Sequence, residues 1–131
     1  MNKVFPITAP VSGKLVGLND VPDPVFSEKI LGNGIAIIPE NGRIVSPVDG
    51  EITSVSDSLH AYTLKSEDGL NILVHIGLNT VSLKGKGFKT FVKTGDKVKA
   101  GDLIAEVDLS VLEENNLNPI TPVIVCDAPD N

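Results

Sequence analysis

Twelve glycines and nine prolines interrupt this chain at short intervals, and the segments between them are rich in Val and Ile. Glycine frees the backbone for tight turns and proline removes a ladder donor, so punctuation this dense cuts a chain into short strands. The pattern predicts an all-β fold, an antiparallel β-sandwich or barrel. Strands are expected over residues 11–18, 34–38, 50–56, 60–65, 70–76, 103–107 and 120–125. One or two short helical turns are expected beside them. In "SVLEENN", Ser110 and Glu113 stand at capping-box spacing; "FSEKIL" gives a weaker signal.

Two segments echo each other, "APVSGKLVGL" from Ala9 and "SPVDGEITSV" from Ser46. Each reads small, Pro, Val, small polar, Gly, charged, apolar. The Pro and Gly set the same turn ahead of a strand, which indicates one structural unit used twice. Two copies suit a duplicated sandwich better than a solenoid. A third signature, "TGDKVKAGDLIAEVD", places Gly95-Asp96 and Gly101-Asp102 on either side of Val98. Such turns occur in biotinyl-like and lipoyl-like sandwiches.

At 131 residues the chain suffices for one domain with a single core. No apolar run approaches a membrane span, and Met1-Asn2-Lys3 opens no signal peptide, so a soluble protein of the cytoplasm is expected. The lone Cys126 has no partner for an internal disulfide and reads as a small core residue. Seventeen acidic against eleven basic side chains give a net charge of −6, and no basic cluster exceeds a pair. Phosphate backbones need a cationic face, so nucleic-acid binding is not expected. An acidic surface suits a basic protein partner or plain solubility.

The chain has two histidines, His60 and His75, one in each arm of a predicted hairpin around "KSEDGL". A turn at Glu67-Asp68, or the longer Ser66 to Gly69, sets Lys65 against Leu70 and His60 opposite His75. A turn at Asp68-Gly69 makes the two histidines diagonal neighbours on one face. Only an odd-length loop sends them to opposite faces. Parity therefore favours a facing pair. Alternation puts Ile72, Val74 and Ile76 on one face of the second arm and Asn71, Leu73 and His75 on the other. A histidine in an apolar strand is most often a satisfied core residue. Two on one face, kept near neutrality to avoid repulsion, make a place where an anionic group is received. Gly77, next in line, lets a partner approach the backbone or simply ends the strand.

"SPVDGEI", "HAYTLKSEDGLNILVHIGLNTVSLKGKGF", "GDKVKAGDLI" and "DVPDPVFSEKILGNGIAI" together resemble the glucose-family enzyme IIA of the bacterial phosphoenolpyruvate-dependent sugar phosphotransferase system. The resemblance runs from about Ala9 to Val125, with both histidines in the family's motifs at the family's spacing of 15. It implies a duplicated hybrid motif in the sandwich and the activity of a phosphotransferase. His75 would accept a phosphoryl group from phospho-HPr and pass it to the cysteine of a IIB domain. His60 would be the accessory histidine at the phosphoryl oxygens. His75 would attack through Nε2 while its Nδ1 donates to a backbone carbonyl near Gly77, with no metal or other cofactor.

Ser58 stands where the family carries a threonine that hydrogen-bonds within the site. Asp23, Val25, Phe26, Leu73, Gly77 and Asn79 match positions on or beside the docking face. Asn79 replaces an aspartate frequent in relatives, and Leu59 replaces a polar residue. The family also continues past a segment like "TPVIVCDAPDN" for a further strand or hairpin, so 1–131 is expected to be a single IIA domain without that segment. Three other readings compete. A biotinyl or lipoyl carrier needs a lysine at a hairpin tip, flanked by methionine in the biotinyl case, and the one methionine is Met1. A zinc peptidase needs three protein ligands. A regulatory module would use the same apolar face, switched by the charge of phosphorylated His75.

Overall fold

A computed structural model describes residues 8–126. Its strands are β1 (Gly13–Gly17), β2 (Asn33–Pro39), β3 (Arg43–Val45), β4 (Gly50–Val55), β5 (Ala61–Ser66), β6 (Asn71–His75), β7 (Phe88–Thr90), β8 (Lys97–Val98), β9 (Leu103–Val107) and β10 (Thr121–Val125). Seven form one sheet in the order β1-β2-β10-β6-β5-β4-β8, and three form a second in the order β3-β9-β7. Every pairing is antiparallel. The expected two-layer β-sandwich is thus the fold adopted. All seven predicted strands are present, while β3, β7 and β8 were missed because two or three residues are too few for alternation to register.

Both helical expectations need correction. Helix α1 (Pro24–Ser27) starts before "FSEKIL", because Asp23 caps it by accepting the Val25 N–H at 3.0 Å and Pro24 supplies a helical φ at the first position. Helix α2 (Leu109–Glu114) is capped by Asp108, not Ser110: the Asp108 carboxylate accepts the Ser110 N–H at 3.0 Å, and Ser110 lies inside the helix.

The sheets bury one shared core. Ile37, Ile52, Tyr62, Leu64, Ile72, Val74 and Val123 face inward from the large sheet and meet Ile44, Phe88, Ala105 and Val107 of the small one. A second cluster lies on the outer face of the large sheet, where Ala36 and Ile124 pack with Leu18, Val21, Phe26, Leu78 and Ile120. Leu73 and Cys126 are partly buried against it. Fully burying a side chain such as Phe26 contributes about 1.5–3 kcal/mol. That contact holds α1 over the sheet beside β6.

The sequence echo is visible as geometry. Thr8 N–H donates to the Pro47 carbonyl and Val45 N–H to that of Pro10, each at 2.7 Å, so the two copies lie side by side. Gly13 opens β1 and Gly50 opens β4. A methyl group on either would sit 2.0 Å from the Ile38 carbonyl oxygen or 2.2 Å from that of Lys65. The same glycine serves the same close strand approach twice.

Tyr62 carries a further consequence. It is fully buried, and its hydroxyl has no hydrogen-bond partner among the described residues. Thr90 lies near enough to offset part of the upward push that burial gives the phenol pKa, but its own proton goes to the Val92 carbonyl at 3.0 Å. A buried hydroxyl without a bond costs stability, so Tyr62→Phe should leave the urea midpoint unchanged or raise it. A loss above about 1 kcal/mol would show that the hydroxyl does bond in solution.

Among the described residues no helix is long and apolar enough to cross a membrane.

Candidate functional site

The β5–β6 hairpin brings the histidines together by a route the sequence reading did not foresee. Ala61 pairs with His75 and Lys65 with Asn71, while Ser66 N–H donates to the Leu70 carbonyl. The loop is therefore the odd-length one, Glu67 to Gly69, closed by Gly69 at φ +86°. Strict alternation in that register would separate the two side chains. His60, however, stands outside β5 at the end of the five-residue connection from β4, in which Leu59 takes a left-handed φ of +62°. The turn carries the His60 ring around to His75. Their ring centroids are 5.0 Å apart at an interplanar angle of 85°. The pairing foreseen from parity holds, and the reason given for it does not.

His75 occupies the last position of β6, half-buried, with the Phe26 ring 5.1 Å away. Its Nδ1 lies 2.7 Å from the Gly77 carbonyl. A carbonyl only accepts, so Nδ1 carries the hydrogen and Nε2 keeps its lone pair. Burial pushes the His75 pKa below 6.5, with the Gly77 bond and the nearby Asp23 carboxylate opposing. The His60 pKa is lowered too, first by burial and then by the positive charge of a protonated His75. Both rings are neutral at neutral pH. The site therefore holds a nucleophilic nitrogen without a competing proton.

Ser56, just past the end of β4, brings a hydroxyl to His60: its Oγ lies 3.2 Å from His60 Nδ1. This corrects the expectation for Ser58, which makes no hydrogen bond to either histidine in this structure. Two of the expected docking residues face inward. Phe26 is 4% exposed and backs the His75 ring. Gly77 is buried with φ +74°, and a Cβ there would lie 2.7 Å from Thr80 Cγ2, so its lack of a side chain serves packing and not a partner's approach. Asp23 caps α1 and acts on His75, Leu73 is half-buried, and Asn79 is exposed in the left-handed region at φ +59°. Val25 is 41% exposed on α1.

Three residues escaped the sequence reading. Ser56 gave no signal beyond a hydroxyl four residues before a histidine. Thr80 is buried and donates to the Ile76 carbonyl at 2.6 Å, tightening the 3-10 turn Thr80–Leu83 behind Gly77. Val81, in that turn, is 56% exposed. Apolar side chains are thus presented by both segments adjoining His75.

Two neutral imidazoles packed edge to face beside a nucleophilic nitrogen suit a class of protein that carries a group on histidine. Comparison with known proteins names the group. Residues 5–130 match the family model for the phosphoenolpyruvate-dependent sugar phosphotransferase system, EIIA 1. The glucose-specific EIIA component of Oceanobacillus iheyensis is 45% identical over 94% of this chain and 74% of its own length. The glucose-specific EIICBA component of Staphylococcus carnosus is 45% identical over 91% of this chain and 18% of its own length. Among solved structures, the glucose permease IIA from Mycoplasma capricolum superposes with a TM-score of 0.87 at 40% identity, covering 94% of this chain and 80% of that one. The chain belongs to the EIIA 1 family of the sugar phosphotransferase system. Its activity is that of a phosphotransferase, a phosphocarrier in sugar uptake.

Proposed function

We propose that His75 is the phosphoryl acceptor, loaded by phospho-HPr and unloaded onto the cysteine of a IIB domain. The observation that carries this reading is the Nδ1–Gly77 bond, which leaves Nε2 as the free nucleophile. In loading, the P–N bond of phospho-HPr breaks as a P–N bond to His75 Nε2 forms, and Nδ1 keeps its proton. In unloading, the P–N bond breaks, a P–S bond to the IIB thiolate forms, and His75 returns to its neutral state. Phosphoryl transfer asks mainly for alignment and for charge stabilisation on the equatorial oxygens. His60 supplies a donor to those oxygens.

The fused EIICBA relative supports a IIB partner, since there the same unit lies in one chain with a permease. Exposed Val25 and Val81 suit an apolar partner surface, and Asp23 a basic group at its rim. The relatives are named for glucose; the sugar served by this chain is set by its permease. His60→Gln should load from phospho-HPr nearly as wild type yet pass the group to a IIB domain about 100-fold more slowly, the cost of removing one stabilising donor. Rapid-quench transfer to labelled IIB measures this. Wild-type onward rates in the variant would remove His60 from the mechanism.

A further inference from the structure

We propose that Asn33 is a self-modifying site, at which the folded chain converts its own asparagine to aspartate and isoaspartate at the entry to β2. The reaction needs no enzyme. The backbone nitrogen of the next residue attacks the asparagine side chain, and a glycine in that place leaves the approach unhindered. The sequence offers two such pairs, Asn33-Gly34 and Asn41-Gly42, each with its asparagine exposed. The structure treats them in opposite ways.

At the first pair the Gly34 N–H donates to Oδ1 of Asn33 itself at 2.9 Å. That contact sets the attacking nitrogen beside the carboxamide, with its partner oxygen one bond from the Cγ it must reach, and it polarises the carbonyl under attack. Holding the two reacting groups together in this way lowers the barrier of an intramolecular step. At the second pair the Asn41 Oδ1 accepts the N–H of Arg43 at 2.9 Å, so its carboxamide is held past Gly42. The Gly42 carbonyl accepts the Val107 N–H at 2.9 Å, and a Cβ on Gly42 would lie 1.8 Å from the Val107 carbonyl oxygen. Gly42 is pinned against β9, and bringing its nitrogen to the Asn41 side chain would break the bond to Arg43.

The step balances with water as the one co-reactant. A bond forms between Gly34 N and Asn33 Cγ while the Cγ–Nδ2 bond breaks. Ammonia leaves with the proton that Gly34 N gives up, and a cyclic imide remains. Water then opens the imide, at Cγ to give aspartate or at the main-chain carbonyl to give isoaspartate. Either product puts a new carboxylate within three residues of Ile30 and Leu31, which are 66% and 41% exposed. Isoaspartate also adds a carbon to the backbone between Gly32 and Gly34. The chain has little room for it there, since a Cβ on Gly32 would lie 2.3 Å from the Val125 carbonyl oxygen and one on Gly34 2.0 Å from that of Val123.

The test is independent of the histidines and of any partner. The folded chain is incubated in warm, mildly alkaline heavy-oxygen water, which labels product formed during the incubation, and peptide mapping by mass spectrometry reads both sites at once. Asn33 should convert about tenfold faster than Asn41. In concentrated urea, where both pairs lose their contacts, the two rates should converge. Asn33→Gln should remove the fast conversion and leave the slow one. Equal rates in the folded chain, a faster Asn41, or a lead for Asn33 that persists in urea overturns the proposal. Aspartate formed without isoaspartate would show direct hydrolysis and overturns the imide route. The isoaspartate fraction should unfold at lower urea than Asn33→Asp, which has the charge without the extra carbon; equal midpoints overturn that consequence.

Discussion

His75→Ala should gain no phosphoryl group when incubated with phosphoenolpyruvate, enzyme I and HPr, where wild type should gain one that is lost in acid; intact mass reads the difference. The expectation follows from the local geometry. Nε2 of His75 has no proton to shed, because Nδ1 already carries it for the Gly77 carbonyl. Burial lowers the ring's pKa, so it is neutral at neutral pH. His60 offers no substitute, since its Nδ1 is engaged with Ser56. Loss of loading should therefore be complete, with the fold retained, because the side chain is half-buried at a strand end and not part of the inner core. A variant that still gains one group would move the acceptor to His60 and reverse the assignment of the two rings.

Gly77→Ala is the substitution with the largest expected effect on stability at the site. The residue holds φ +74°, where a side chain costs roughly 1–2 kcal/mol. Its new methyl group would also meet Thr80 Cγ2 at 2.7 Å, and the Asn118 carbonyl and Leu112 Cδ2 at 3.1 Å. Thr80 is not free to turn away, because its hydroxyl is bonded to the Ile76 carbonyl. Overpacking of this kind adds roughly 1–3 kcal/mol, for a total of about 2–5 kcal/mol in a urea titration. The carbonyl that orients His75 belongs to the substituted residue, so loading should slow even where the variant remains folded. Wild-type stability in Gly77→Ala would mean that residues 77–80 relax more freely than their packing indicates.

Much of this fold was legible because its determinants are local. Glycine and proline punctuation located the long strands, and the echoed Pro-Val-x-Gly segments marked a duplication that Gly13 and Gly50 realise with matching close approaches. The histidine pair was also legible, but only as an outcome. Its cause is the positive φ of Leu59, a residue type that does not announce a left-handed turn, together with a three-residue loop that shifts the register by one. The contact of Ser56 with His60 was out of reach for the same reason, since it exists only after that turn has formed. Phe26 and Gly77 were misplaced because the outer cluster adds a second buried layer on a face that strand alternation alone leaves open to solvent.

The strand order has a consequence for the protein during its synthesis. β10 lies between β2 and β6, although more than forty residues separate it in sequence from either. Until residues 121–125 leave the ribosome, the β1–β2 hairpin and the β4–β5–β6 unit have no strand to join them, and two long edges stay open. The outer cluster, to which Ile120 and Ile124 belong, cannot close over α1 in that interval. A nascent chain can hold the hairpin that bears both histidines well before it has a surface to offer a partner, so competence for transfer arrives late and all at once.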